Sequence, residues 1–269
     1  MKRFITPKTF ISIISVMAAL AARADYSNTV KSFNPVGYWR VDETNQPPPP
    51  DQATNTGTLG AAANGYYAAG ASHGQTTGAL VGSGDTAATF DGSSGQVTVP
   101  YIAPFSIAAP FSAEVWVNPG AAPSGLTCVL ACGQFASPRS GWLIYQNTDG
   151  YNFRIYNQNG TSTSASPDGG GAPQAGNWYH VVGVYDGATA SVYVNGALAA
   201  SQAVTNTPHF VPNTGGPLTI GTRSDGAFYF QGSEDEVAVY TNALSAADVL
   251  AHYQNGTNSL PAAPYNQLI

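Results

Sequence analysis

The sequence predicts an all-β fold, two antiparallel sheets packed as a sandwich or jelly roll, with one short C-terminal helix. Three observations lead there. The 269 residues include 30 Gly, 19 Pro and 15 Tyr, and hydrophobic residues reach 43 %, the composition of a chain of short strands and many turns. Charged residues make up only 9 %, against about 25 % in an average soluble protein, but 11 % aromatics set the chain apart from a disordered one. Strand-like runs follow one another without βαβ alternation, which excludes a parallel α/β sheet.

Residues 1–24 read as a signal peptide. Lys2, Arg3 and Lys8 form a positive start, Phe10 to Ala22 is an apolar run, and Ala22-Arg23-Ala24 supplies small residues for cleavage before Asp25. The run is shorter than the roughly 20 apolar residues of a membrane span, and no second apolar stretch follows. Cleavage would leave 245 residues with 5 basic against 15 acidic side chains. That balance argues against sequence-independent nucleic-acid binding and suits a secreted or cell-surface protein.

Residues 25–34 form a lead-in and 35–256 the domain. Val36–Val41 reads as the first strand. Thr44–Gly84, with Pro47–Pro50, reads mostly as loop with one short strand near Gly65-Tyr-Tyr67. Thr86–Phe90 and Gln96–Val99 flank Asp91-Gly92. Ser112–Asn118 alternates, with Ala113, Val115 and Val117 on one face and Glu114, Trp116 and Asn118 on the other. Cys128–Gln134, Trp142–Gln146 and Tyr151–Asn157 follow, the last two joined by the turn Asn147-Thr-Asp-Gly150. Trp178–Tyr185 and Ser191–Val194 form a hairpin about Asp186-Gly187, with a second turn at Asn195-Gly196. Pro217–Gly221, Ala227–Gln231 and Glu236–Tyr240 complete the strands. Ser245-Ala-Ala-Asp248 starts the helix as a capping box, Leu250 and Tyr253 continue its period, and Gly256 suits a left-handed exit.

Strand parity puts Cys128, Leu130 and Cys132 on one face as two buried thiols. Four residues of strand span about 13 Å, too far for a disulfide, which needs Cα atoms within about 7 Å; a bridge across a bend at Gly125 or Gly133 is the alternative. Two cysteines cannot make a structural zinc site. Asn159-Gly-Thr161 and Asn255-Gly-Thr257 are sequons, relevant only in a glycosylating host.

Several segments together resemble the laminin G-like jelly-roll modules of the concanavalin A-like lectin/glucanase superfamily. They are Pro35-Val-Gly-Tyr-Trp-Arg-Val-Asp-Glu43, Thr89-Phe-Asp-Gly-Ser-Ser-Gly-Gln-Val-Thr-Val99 and Phe111-Ser-Ala-Glu-Val-Trp-Val-Asn-Pro119. Trp178–Gly187, Val192-Tyr-Val-Asn-Gly196, Leu218-Thr-Ile-Gly221 and Gly232-Ser-Glu-Asp-Glu-Val-Ala-Val-Tyr240 follow in order. Each is weak alone; their order over 35–256 carries the resemblance. It implies a two-sheet antiparallel jelly-roll sandwich used to bind glycans or proteins.

The resemblance also implies a structural calcium where the N-terminal segment meets the last strand. Asp235 is the matching carboxylate, with Asp42 and a carbonyl around Gly65 as partners; alternatively Asp235 hydrogen-bonds the lead-in. Glu234 stands where the family usually has an apolar residue.

Catalysis is not expected. Retaining glucanases need two carboxylates about 5 Å apart. Glu234 and Glu236 share a strand face by parity, but they belong to the terminal motif, and Glu114 has no acidic neighbour on its own face. The expected function is a secreted, non-catalytic recognition or adhesion module, most plausibly for polysaccharide. The alternatives are a structural or protein-interaction module of a surface protein and, more distantly, a divergent glycoside hydrolase. For a glycan, Glu114, Trp116 and Asn118, Arg154 with Tyr156, and Trp142 are the candidate ligand residues, as flat rings beside polar groups; the competing role for each ring is core packing. Residues 257–269 read as a Pro/Ala-rich tail or linker. Their ending, Pro264-Tyr-Asn-Gln-Leu-Ile269, reads either as a tail or as the start of a second module in a multi-module chain.

Overall fold

Alternation of apolar and polar side chains becomes layering once the strands pair. The computed structural model describes residues 25–44 and 51–257. The signal-peptide segment, Pro47–Pro50 and the chain after Thr257 lie outside the described residues. The chain opens with helix α1 (Tyr26–Ser32), then β1 (Gly37–Trp39), β2 (Gln52–Ala53), β3 (Gly65–Tyr67), β4 (Ala71–Thr77), β5 (Thr86–Asp91) and β6 (Val97–Val99). Four long strands follow: β7 (Phe111–Pro119), β8 (Thr127–Gln134), β9 (Ser140–Asn147) and β10 (Gly150–Asn157). Then come β11 (Thr163–Ala165), β12 (Asp168–Gly170), β13 (Tyr179–Tyr185), β14 (Thr189–Val194) and β15 (Ala197–Ala203). Last are β16 (Leu218–Ile220), β17 (Gln231–Tyr240) and α2 (Ala246–Thr257).

The strands form two antiparallel sheets, as the sequence predicts. The first runs β15-β14-β13-β7-β17-β5-β4, with β1 on β17; the second runs β11-β10-β9-β8-β16-β6-β3-β2, with β12 on β10. Between them Ala113, Val115 and Val117 of β7 meet Leu130, Ile144, Phe153 and Ile155 of the second sheet in one core. Each large side chain buried there stabilises the fold by about 1.5–3 kcal/mol. At the Asn195-Gly196 turn both residues have positive φ, 52° and 79°, as a type I′ hairpin requires. Ser245 and Asp248 cap α2 reciprocally, the Ser245 N–H reaching the carboxylate at 2.9 Å and its hydroxyl accepting from the Asp248 N–H at 3.2 Å.

Several expectations need correction. The lead-in folds as a helix whose Tyr26 and Val30 are buried. The Thr44–Gly84 loop contains a seven-residue strand, β4, and of the predicted Ala227–Gln231 strand only Ala227, bridged to Arg223, and Gln231, the first residue of β17, are paired. Gly256 lies inside α2 rather than at its exit. It is glycine because of packing: a Cβ there would sit 2.4 Å from the Trp116 ring.

The two thiols are free and buried, but they do not share a face. A bulge between Cys128 and Leu130 turns Cys128 outward with Tyr145 and Tyr156, while Cys132 stays in the intersheet core. A second bulge, in β17 between Asp235 and Ala238, separates the acids that parity put together. Glu234, opposite Val117, points into the core; Glu236 emerges on the outer side, bonded to Tyr38 and Arg40. Neither Glu234 carboxylate oxygen has a hydrogen-bond partner, and burial alone raises its pKa well above the usual range.

Candidate functional site

The expected glycan platform on β7 is not a surface. Glu114 and Trp116 do face away from the core, but α1 and α2 lie over them. Tyr26, Val30, Leu244 and Val249 seal an outer cluster with Trp116, Val182 and Tyr240. Both side chains are essentially inaccessible, and Asn118 is half-buried at the strand end, donating to the Gly176 carbonyl at 3.4 Å. Glu114 instead anchors the helices. Its carboxylate accepts from Tyr240 Oη at 2.7 Å and Tyr26 Oη at 3.3 Å. It also lies 2.9 Å from His252 Nδ1 and 3.5 Å from His180 Nε2. These partners outweigh desolvation and hold the Glu114 carboxyl well below its usual range. Desolvation lowers His180; for His252 the Glu114 charge and hydrogen bond overcome it and raise the pKa.

Trp142 is also core, its Nε1 donating to the Phe105 carbonyl at 2.9 Å. Arg154 and Tyr156 belong to β10 in the second sheet, so they look out from the opposite side of the sandwich to Glu114 and Trp116. Tyr156 is itself buried.

That second outer face carries a larger feature, of which sequence reasoning singles out only Arg154 and Tyr156. Arg139, Arg154 and Arg223 stack on a run of aromatic rings. The Arg154 guanidinium lies 4.8 Å from the Tyr145 centroid, and Arg223 lies 4.6 Å from Phe228 and 5.3 Å from Phe135. Arg139 lies 5.9 Å from Tyr156. Ring contacts join them, Tyr145 to Phe228 at 5.4 Å and Phe135 to Tyr156 at 5.8 Å. Phe228 is 39 % exposed and sits at φ 61°, a strained conformation for a bulky residue. The three arginines come from segments 15 to 84 residues apart, so no local pattern announces the patch.

At the rim, β1 and the β17 bulge build an acidic cluster. Ligand oxygens of Asp85, Asp235 and Glu236 lie within 4.8 Å of one another. Arg40 spans the group, with Nε 2.9 Å from Glu236, Nη2 3.0 Å from Asp85 and Nη1 2.9 Å from Asp42. Asp235 accepts the Ala79 N–H at 2.8 Å, so it holds the 78–79 loop rather than the lead-in, and its Oδ1 is buried without a partner. Burial and neighbouring acids raise Asp235 well above the usual range, and burial pushes Glu236 up to about 7. Val41 and Glu236 hold positive φ, 50° and 52°, strain that concentrates at this cluster. Asp85, Asp235 and Glu236 offer three hard-oxygen donors of the kind calcium takes, and the Arg40 guanidinium, 3.0 Å from Asp85 and 2.9 Å from Glu236, already neutralises part of their charge. Asp42 is tied to Arg40. Gly65 lies in β3 of the second sheet, paired with Ala53, whereas Asp235 and Glu236 belong to β17 of the first.

A family model described as the concanavalin A-like lectin/glucanases superfamily, of laminin G type, matches residues 91–250. No curated protein matches. Among solved structures, a mutant Trypanosoma rangeli sialidase displaying trans-sialidase activity is similar over 83 % of this chain and 33 % of its own, at 17 % identity and TM-score 0.58. The botulinum neurotoxin type G receptor-binding domain is similar over 82 % and 51 %, at 13 % identity and TM-score 0.59. A botulinum neurotoxin type C structure, from work tying its cell entry to interaction with two ganglioside molecules, is similar over 85 % and 52 %, at 13 % identity and TM-score 0.60. The chain therefore spans about a third to a half of these proteins, and at such identities the likeness is one of fold.

Proposed function

The chain belongs to the concanavalin A-like lectin/glucanase superfamily, and from that premise we propose that it is an exported, non-catalytic module that binds polysaccharide through the outer face of its second sheet. One observation carries the reading. The outer face of the first sheet is sealed by two helices over a buried carboxylate, whereas the second presents the half-buried guanidiniums of Arg139 and Arg154 and an exposed ring at Phe228. Aromatic faces stack on the C–H faces of sugars, and arginine donates to their oxygens. The superfamily also contains glucanases, whose retaining chemistry needs a carboxylate pair about 5 Å apart. Of the carboxylates clustered at the rim, Asp85 and Glu236 are paired with Arg40 and Glu236 also with Tyr38, while Asp235 accepts the Ala79 N–H.

A calcium ion held by Asp85, Asp235 and Glu236 would be structural, tying the 78–85 loop to β17. Its own contribution would be to neutralise buried carboxylates. Arg40 keeps Glu236 and Asp85 oriented, and the Ala79 N–H fixes Asp235.

Affinity electrophoresis of the full chain through gels holding neutral and acidic polysaccharides, with calcium and with EDTA, tests the reading, with a reducing-sugar assay alongside. Expected are retardation by at least one polymer, loss of that retardation in Phe228→Ala, and no sugar release. Sugar release would restore the hydrolase reading. No retardation of a folded protein by any polymer would favour a protein-interaction spacer.

A further inference from the structure

Among the described residues there are five lysines and arginines against fifteen acids, so where the cations stand is informative. Arg40 is surrounded by Asp42, Asp85 and Glu236, and Lys31 lies over the Tyr38 ring at 5.9 Å. The other three converge on the outer face of the second sheet. Their roles there differ. Arg223 has a partner on each of its three nitrogens: Nε and Nη2 each donate to Asp225 at 2.7 Å, and Nη1 donates to Tyr145 Oη at 3.1 Å. It braces Tyr145 and Phe228.

Arg139 and Arg154 are each held by one nitrogen only. Arg139 Nε donates to the Phe135 carbonyl at 3.0 Å, and Arg154 Nε donates to Asn152 Oδ1. Among the described residues neither has a carboxylate within ion-pair distance, and their terminal nitrogens make no hydrogen bond to the protein. Each guanidinium is thus oriented, laid on a ring and half-buried, with its bidentate donor edge unspent. Such a group is prepared for a planar anion at little further entropic cost.

We propose that Arg139 and Arg154 recognise the carboxylate groups of an acidic saccharide, with Phe228 stacking against a sugar face; the proposal rests on the carbohydrate-binding reading above. The chemistry narrows the class. An isolated phosphate has no use for the exposed ring. The chain's excess of acids repels every polyanion alike, so the choice rests on the contact surface: an anionic membrane headgroup layer offers no flat C–H face to an exposed phenyl ring. A uronic-acid-type sugar carries both the carboxylate and the flat C–H face that this surface matches.

Isothermal titration of the full chain with polygalacturonate, alginate and hyaluronan, each beside its methyl ester, tests this, together with neutral glucans. At least one carboxylated polymer should bind, and its ester should bind roughly ten- to hundredfold more weakly. Arg154→Gln and Arg139→Gln should show the same loss at unchanged melting temperature. Arg154→Lys, which keeps charge but not the fork, should fall between, and added NaCl should weaken binding of the acid form alone. Equal binding of acid and ester, undiminished in the arginine variants, or binding confined to neutral glucans, would overturn the inference and leave the carbohydrate reading standing. Binding of no polymer at all would overturn both.

Discussion

Replacing Glu114 by Ala removes the carboxylate that four groups face. The Tyr26 and Tyr240 hydroxyls lose their acceptor, His252 loses its hydrogen-bond partner and His180 the carboxylate 3.5 Å away, all in a site closed by α1 and α2. Taking away one partner of a buried ion pair costs about 3–5 kcal/mol. For a domain of this size each kcal/mol shifts Tm by roughly 2–4 °C, so the variant should melt roughly 6–20 °C below the parent. Because the pair is buried, 0.5 M salt should not narrow the gap.

Glu114→Gln isolates the charge and adds a pH signature. Glu114 is ionised in the fold, so its stabilisation is complete above the unfolded carboxyl value of about 4.3 and is lost as pH falls through the lower folded one. His252, raised in the fold, contributes below about 6.5 and loses that contribution as pH rises through its folded value. The penalty of Glu114→Gln should therefore be largest between about pH 4.3 and 6.5 and smaller at pH 8.5. A double-mutant cycle with His252→Ala, read by chemical denaturation, should give a coupling of about 0.5–3 kcal/mol. A Glu114→Ala cost under about 1 kcal/mol, or strict additivity with His252→Ala, would refute the reasoning.

Other outcomes follow from particular contacts. If calcium sits at Asp85, Asp235 and Glu236, EDTA should lower Tm and Asp235→Asn should abolish that response; a Tm indifferent to both would remove the ion from the account. Glu234→Gln should gain on the parent as pH rises. The parent's acid is protonated in the fold but ionised in the unfolded chain above about pH 4.3, at a cost of up to about 1.4 kcal/mol per pH unit, and a pH-independent Tm difference would contradict this. Gly256→Val should cost about 1–3 kcal/mol by driving methyl groups into the Trp116 ring, detectable as a lower denaturation midpoint. Both thiols should resist a thiol reagent until the protein unfolds, since burial raises Cys128 well above the usual range and pushes Cys132 up to about 12.

The layering of the sandwich was legible where local pattern decides it. The alternation of Ser112–Asn118 and the Asp-Gly and Asn-Gly turns placed the central strands, and the Ser245/Asp248 box placed the helix. β4 was not legible, because Ala-Ser-His-Gly-Gln-Thr-Thr has no apolar alternation and is held by pairing with β5. The bulges at Val129 and Glu236 broke parity arguments that were sound for regular strands, and so separated Cys128 from Cys132 and Glu234 from Glu236. Parity did find the face shared by Glu114 and Trp116. What it could not show was the layer above, supplied by α1 and α2 from the two ends of the described chain. Of the arginine–aromatic face, parity on β10 found Arg154 and Tyr156, while Arg139, Tyr145, Arg223 and Phe228 join them only through the pairing of separate segments.

The central claim is that ligand meets the second sheet and not the first. Hydrogen–deuterium exchange of the full chain, with and without a saturating polysaccharide found in the gel screen, reads this directly. Protection confined to residues 135–157 and 222–230, with 246–257 unchanged, is the predicted result. Protection centred on α1 and α2, or on the rim at 78–85, with none at 135–157, would contradict it.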